Sequence, residues 1–298
     1  MKLLLLGGNG QVGRELRRGL PALGTLLVAT RDGAQADVMA DFDAPDALGA
    51  LVRRIAPDVV VNAVAHTAVD RAEREPDAAF RVNARAPGAI AQACAATGAL
   101  LVHYSTDYVF DGSASRPYRE DDATAPLGVY GASKLAGENA IRASGARHAI
   151  LRTAWVYAAH GRNFLHTMLR LAAECDELRV VADQIGVPTP AAWLADASAR
   201  IIEQGLPASG IWHLAADGAT SWHGFAEAIM DEARAAGLLA YRPQVLPLAT
   251  ADYPTPARRP GYSVLDTGKL RRDFGIVPPD WRAGLRATLQ ELRAGSGG

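Results

Sequence analysis

A short apolar run, Leu3-Leu4-Leu5-Leu6, passes without a break into Gly7-Gly8-Asn9-Gly10-Gln11-Val12-Gly13. Four apolar residues suit a buried strand; a secretory core needs roughly 7 and a membrane span roughly 18. Glycines directly behind a strand permit a tight turn, and residues 11–20 carry the spacing of an amphipathic helix. The string fits both Gly8-x-Gly10-x-x-Gly13 and Gly7-x-x-Gly10-x-x-Gly13. At a first strand–helix junction, such a loop brings backbone N–H groups and the positive end of a helix dipole to a pyrophosphate. A plain Gly-rich turn has the same letters. The position in the chain favours a dinucleotide.

Behind this junction, short apolar runs at 2–6, 25–30, 59–63, 99–105 and 148–153 alternate with helical patterns at 11–20, 46–55, 77–97 and 129–144. Strand–helix alternation of this kind predicts an α/β fold, a Rossmann-like doubly wound parallel sheet covered on both faces. Beyond about residue 155 the pattern loosens. Helices are expected at 163–174, 191–204, 223–236 and 281–294, with short strands at 178–182, 211–214 and 244–246. This divides the chain into residues 1–155, mainly dinucleotide-binding, and a smaller α/β substrate-binding region at 156–298, with the chain free to cross between them. Three prolines in Tyr253-Pro-Thr-Pro-Ala-Arg-Arg-Pro260 predict a stiff loop. The tail Ala294-Gly-Ser-Gly-Gly298 is expected to fray.

Charge narrows the partners. Lys and Arg total 31 against 32 Asp and Glu, giving −1 overall, so neither a nucleic-acid footprint nor a polybasic membrane surface is expected. Cys94 and Cys175 could form one disulfide, but both lie in Ala-rich helical patterns and read as reduced, packed thiols of a cytoplasmic enzyme.

Tyr130 and Lys134 stand four residues apart on a predicted helix, which puts them on one face, one turn apart. A free phenol titrates near ~10, too high for proton work at neutral pH. An ammonium a few ångströms away is worth on the order of 4 kcal/mol at an effective dielectric near 20, enough to lower that value by two or three units. The same spacing arises by chance on many solvated helices. The segment His103-Tyr-Ser-Thr-Asp-Tyr-Val-Phe110, just past the predicted fifth strand, adds a second element. Carboxyl ends of strands face the ligand crevice in such sheets, so Thr106 would offer its hydroxyl to a substrate oxygen beside Tyr130.

The second strand ends at Ala29-Thr30-Arg31-Asp32. Arg31 suits the 2′-phosphate of NADPH, while Asp32 keeps NADH possible.

Gly-x-x-Gly-x-x-Gly, Ser-Thr-Asp-Tyr-Val-Phe and Tyr-x-x-x-Lys, in this order, resemble the extended short-chain dehydrogenase/reductase family. Nearly the whole chain takes part, through Asn62-Ala-Val-Ala-His-Thr-Ala-Val-Asp70, Arg152-Thr-Ala-Trp-Val-Tyr157, Asp183-Gln-Ile-Gly-Val-Pro-Thr189 and Pro254-Thr-Pro-Ala-Arg-Arg-Pro260. The resemblance implies reduction of the C4 ketone of dTDP-4-dehydro-L-rhamnose to dTDP-L-rhamnose with NADPH, NADH being possible. It assigns Thr106, Tyr130 and Lys134 to catalysis. To the cofactor it assigns Gly7, Gly10, Gln11, Val12, Gly13, Arg31, Asp41, Phe42, Ala63, Ala65, His66, Thr67 and Tyr104, together with Tyr130 and Lys134. To the sugar nucleotide it assigns Thr106, Asp107, Tyr108, Trp155, Arg258 and Arg259, the arginine forks matching a diphosphate.

Some relatives share a divalent cation between two copies through several glutamates. Glu15 and Glu291 correspond to part of that set, but Ala191-Ala192 stands where a third acid is expected, so no metal is predicted and a homodimer stays possible. A non-catalytic regulatory subunit of the same fold is one alternative, disfavoured by the intact Thr106, Tyr130 and Lys134. Another nucleotide-sugar epimerase or dehydratase is a second, disfavoured because Tyr108, not a further acid, follows Asp107.

Overall fold

The structure, a computed structural model, describes residues 1–296. Among them the elements run β1 (Lys2–Leu6), α1 (Gln11–Gly19), β2 (Thr25–Thr30), β3 (Val38–Met39), α2 (Pro45–Ile55), β4 (Val59–Asn62), α3 (Val69–Arg74), α4 (Pro76–Phe80), α5 (Ala86–Thr97), β5 (Leu100–Thr106), α6 (Val129–Ala143) and β6 (His148–Thr153). There follow β7 (Val156–Tyr157), α7 (Phe164–Glu174), β8 (Glu177–Val181), β9 (Ile185–Gly186), β10 (Thr189–Pro190), α8 (Ala191–Gln204), β11 (Gly210–His213), β12 (Thr220–Ser221), α9 (Trp222–Ala235), β13 (Gln244–Leu248), α10 (Gly268–Phe274) and α11 (Trp281–Ser296).

Seven of the described strands form one parallel sheet in the order β11-β6-β5-β4-β1-β2-β3. The middle of each inner strand is apolar because alternate residues enter two different cores. Leu3, Leu5, Val59, Val61, Val102 and Tyr104 join one cluster, which includes Leu16 of α1 and Leu194 of α8. Leu4, Leu6, Val60 and Leu101 join the other, with Val52 of α2 and Ile90 of α5. Burying each leucine fully is worth about 1.5–3 kcal/mol, so both faces hold the sheet. Strand order reverses between β1 and β4. The crevice at their carboxyl ends is the position where such sheets bind ligands.

The second half does not stay apart. β11 adds to the sheet beside β6, and α8 packs on α1. Between these excursions a third core gathers Leu165, Phe225, Met230 and Trp281 around β8 and β13, which pair parallel with each other.

Three local differences from the sequence expectations have physical reasons. The helix expected at 77–97 forms as one continuous helical run over 76–97, but with a π-helical turn at Arg81–Arg85 between α4 and α5. The turn's backbone meets α6 so closely that a Cβ on Gly137 would lie 2.1 Å from the Asn83 carbonyl oxygen. β3 is only two residues long, below what periodicity detects. The C-terminal helix continues to Ser296 where fraying was expected from Ala294; residues 297 and 298 lie outside the described ones. Cys94 and Cys175 are free. No described helix is long and apolar enough to cross a membrane.

Candidate active site

The glycine loop lies at the β1–α1 junction, and its glycines are required for different reasons. Gly7 has φ +87°, and a Cβ there would lie 2.6 Å from Val64 Cγ2. A Cβ on Gly13 would lie 2.0 Å from the Gly7 carbonyl oxygen, so close helix–sheet packing excludes it. At Gly10 the nearest atom would be Gly7 O at 3.5 Å, ordinary contact. Protein packing therefore does not require glycine at position 10. Gly10 caps α1 without a side-chain hydrogen bond, leaving a bare helix N-terminus of the kind that takes a pyrophosphate. Gln11, Val12 and Gly13 form that first turn, and these residues fit a dinucleotide.

A cleft of 280 Å³ continues from this loop, lined by Gly7, Thr30, Arg31, Phe42, Ala65 and His66 among others. Arg31 is exposed and paired with Asp43 at 3.2 Å. Asp32 is turned into its own loop, where Oδ1 accepts the Ala34 N–H at 3.1 Å and the Thr30 hydroxyl at 3.3 Å. These bonds, led by the Ala34 N–H, hold its carboxyl below the usual range. Asp41 and Thr67 are exposed at the margin, and Asp41 accepts the Asp43 N–H. Ala63 packs beneath Gly7. The side chain of Tyr104 departs from expectation: it joins the core under α8, its hydroxyl 2.6 Å from Ser198 Oγ. Residue alternation along β5 sends it there, and only its carbonyl faces the site.

Tyr130 and Lys134 lie on the buried face of α6, across from the end of β5. Thr106 donates to Asp107 Oδ1 at 3.0 Å and accepts the Tyr108 N–H. Tyr130 lies beside it, and its ring meets Tyr108 edge-on at 5.7 Å. The expectation that Lys134 lowers the phenol is not met. Burial pushes Tyr130 up to about 12, the neighbouring Thr106 hydroxyl opposing. Lys134 instead donates to the Tyr104 carbonyl at 2.6 Å and lies 3.2 Å from His103 Nε2. Burial pushes Lys134 down to about 8 against the opposing charge of Glu138. Burial also pushes Asp107 up to about 6, and its Oδ2 has no hydrogen-bond partner.

On the far side, Tyr130, Tyr108 and Arg258 border a small recess, and Arg258 is exposed. Arg259 reaches Asp70 at 2.8 Å and the Thr255 hydroxyl, tying the proline-rich loop to α3. It also lines a 390 Å³ cavity with Phe164, Met168, Arg179, Trp222 and Tyr253. Trp155, half-buried at φ +46°, stacks on Trp222 with centroids 3.6 Å apart. The structure thus assembles Thr106, Asp107, Tyr108 and Tyr130 in one place, with Trp155 and Arg259 beside a neighbouring cavity.

Several supporting residues carry no motif of their own. Asn83 accepts the His66 N–H and donates to Ser133 Oγ, joining the 65–67 segment to α6. Glu138 and Arg152 form a buried pair at 2.7 Å, with Ser105 donating to the same carboxylate. Their signal in the sequence was only that polar residues sit on an otherwise apolar face. Glu15 and Glu291 are both taken up by Arg18, at 3.0 and 2.7 Å, and Glu15 also meets His160. A cation already sits between the two carboxylates, so this donor set does not fit a metal ion.

A family model described as the RmlD substrate binding domain matches residues 1–294. The dTDP-4-dehydrorhamnose reductase of Escherichia coli (strain K12) is 48% identical over 295 residues, covering 98% of each chain. That of Burkholderia thailandensis is 47% identical, covering 98% of this chain and 99% of its own. Among solved structures, the dTDP-4-dehydrorhamnose reductase of Clostridium acetobutylicum has a TM-score of 0.90 at 36% identity, covering 98% of this chain and 100% of its own. The Bacillus anthracis enzyme, solved in complex with NADP, has a TM-score of 0.90 at 35% identity with the same coverage. A family model over nearly the whole length, and relatives this similar across it, show that the chain belongs to the RmlD family of dTDP-4-dehydrorhamnose reductases.

Proposed function

We propose that the protein reduces the C4 ketone of dTDP-4-dehydro-L-rhamnose to dTDP-L-rhamnose, using NADPH in preference to NADH. The observation that carries this is Thr106 and Tyr130 brought side by side at the carboxyl end of β5, beside a glycine loop whose Gly10 leaves room for a ligand. In this reading residues 1–155 hold mainly the dinucleotide, and residues 156–298 mainly the sugar nucleotide. The setting is the cytoplasm, which suits two free cysteines.

Bound NADPH supplies the hydride that adds to C4. As the carbonyl π electrons move onto oxygen, Thr106 donates a hydrogen bond and Tyr130 gives its phenolic proton, so the product leaves as an alcohol. A phenol held at about 12 is fully protonated beforehand, which suits the acid of a reduction. Lys134, charged and turned to the nicotinamide ribose, would stabilise the phenolate left behind. Arg31 suits the 2′-phosphate, since Asp32 is committed to its own loop. Asp107, Tyr108 and Trp155 face the sugar, and Arg258 and Arg259 the diphosphate. The aromatic and aliphatic cavity around Phe164, Met168 and Trp222 suits a thymine ring.

The test is loss of NADPH absorbance dependent on dTDP-4-dehydro-L-rhamnose, with the product identified by NMR. No turnover by folded, NADPH-binding protein would overturn the reading. A homodimer of this chain is expected to need no metal, because Arg18 already bridges Glu15 and Glu291; chelation should leave its mass unchanged.

A further inference from the structure

His103 is wholly buried behind Lys134, and its hydrogen bonds define a tautomer. Asn62 and His103 are paired residues on adjacent strands, so their side chains share a face. Asn62 Oδ1 accepts the Val64 N–H at 3.1 Å, which fixes the amide with Nδ2 toward His103. That Nδ2 lies 3.1 Å from His103 Nδ1 and can only donate. Nδ1 is therefore the acceptor, and a neutral ring must carry its proton on Nε2. Nε2 is the atom that faces Lys134 Nζ at 3.2 Å. An N–H directed at an ammonium is a clash of donors. Directed at a neutral amine it is a hydrogen bond, while the amine's own N–H goes to the Tyr104 carbonyl.

We propose that His103, fixed by Asn62 as the Nε2–H tautomer, is a positioning residue that holds Lys134 as a neutral amine in the cofactor-free protein. Charging Lys134 in place requires His103 to move its proton to Nδ1. That in turn requires Asn62 to turn its amide and leave the Val64 N–H without an acceptor. The lysine thus takes its proton readily only when it leaves His103.

The other groups around Lys134 do not supply this effect. Glu138, one turn on, favours the charged form, but its carboxylate is committed to Arg152 and Ser105. Tyr130 stands one turn back. Asp107 is turned to Thr106. From the elements packed on α6, Glu73 is bound to the Val129 N–H and Arg81 pairs with Asp43, while Asp77 and Arg85 are exposed. Burial, with the charge of Lys134 a lesser cause, holds His103 far below the usual imidazole range, so the ring stays neutral.

This inference rests in part on the reading of Lys134 given above, and the test separates the two. Long-range ¹H–¹⁵N NMR of the cofactor-free protein should show His103 as Nε2–H across the pH range of activity, without any need for turnover. Asn62→Asp should convert it to Nδ1–H, because a carboxylate can accept from both Val64 and His103. Nε2 then becomes an acceptor for an ammonium, and the alkaline limb of the kcat/KM profile should move up by about one pH unit. His103→Gln, whose amide can present oxygen to Lys134, should move it the same way. A His103 found as Nδ1–H in the unmodified protein overturns the proposal whether or not the variants fold. So does an alkaline limb unchanged in both variants when they melt like the parent.

Discussion

Glu73 Oε1 accepts the backbone N–H of Val129 at 2.7 Å, so a carboxylate on α3 caps the helix that carries Tyr130 and Lys134. The helix provides no cap of its own: Gly128 at its N-cap makes no side-chain hydrogen bond. A Cβ there would lie 2.5 Å from the same Glu73 oxygen, so a larger residue would push the capping carboxylate aside. A carboxylate at a helix N-terminus also meets the positive end of its dipole.

Glu73→Ala should therefore destabilise the protein by about 1 kcal/mol and lower kcat through a loosened α6. Glu73→Gln, whose amide oxygen still accepts, should lose less of both. Urea melts paired with initial rates check this. Equal loss in the two variants would show that the accepted hydrogen bond is not what matters.

Tyr130→Phe removes the donated proton and little else. It should lower kcat by roughly 10² to 10⁴ with NADPH affinity largely kept. Lys134→Met should also abolish turnover, yet stabilise the fold on the order of 1–3 kcal/mol, because it removes a lysine whose charged form burial disfavours. The sign follows from Lys134 being pushed down from 10.5 to about 8. Between those values the unfolded chain binds more protons than the folded one, so native stability rises with pH. The stabilising effect of the methionine should be full below about pH 8 and vanish as pH climbs past the unfolded value. Melting temperatures of both proteins across that window decide it.

Periodicity was enough to locate five of the six strands from β1 to β6, all but the two-residue β3, since each of the five is a short apolar run ending in polar residues or glycine. It could not show that β11 and α8 return to the first core, because a strand's partner is a long-range fact. Tyr130, Lys134 and Thr106 were legible because their spacing is local. What Lys134 touches was not: His103 and Tyr104 come from β5, with Asn62 of β4 behind His103, and only the parallel register places them behind the helix. The lowered phenol predicted from the Tyr–Lys spacing failed for the same reason, as spacing reveals a shared face but not which neighbour receives the ammonium. The motif names Tyr104 without saying which of its atoms faces the site: the strand sends its side chain to the opposite core and leaves its carbonyl toward Lys134.

Arg31→Ala should raise the KM for NADPH on the order of 10-fold and leave that for NADH nearly unchanged, since only the former carries a 2′-phosphate. Asp32→Ala should alter neither much, because its carboxylate is bound to Ala34 and Thr30 and not directed into the cleft. Steady-state kinetics with both cofactors provide the measurement. A large NADH-specific loss in Asp32→Ala would show that the carboxylate leaves its loop to bind the ribose.

Trp155 has φ +46°, a conformation costly for a bulky side chain and kept only where its surroundings enforce it. Those surroundings are a sandwich. Trp222 stacks on one side at 3.6 Å and 7°, and on the other lies Gly186, where a Cβ would come within 2.5 Å of the indole. Trp222 also lines the cavity assigned to the nucleotide, so the position of the indole and the shape of that cavity are linked. Gly186→Ala should displace the ring and raise the KM for the sugar nucleotide on the order of 10-fold, with NADPH binding unaffected, since Gly7 and Arg31 line a different cavity from Trp222. Trp222→Leu, which removes the stack without touching Gly186, should act in the same direction. If both variants lose thermal stability but keep the parent's KM, the strained tryptophan serves only the packing of the second half, and the sugar is recognised without it.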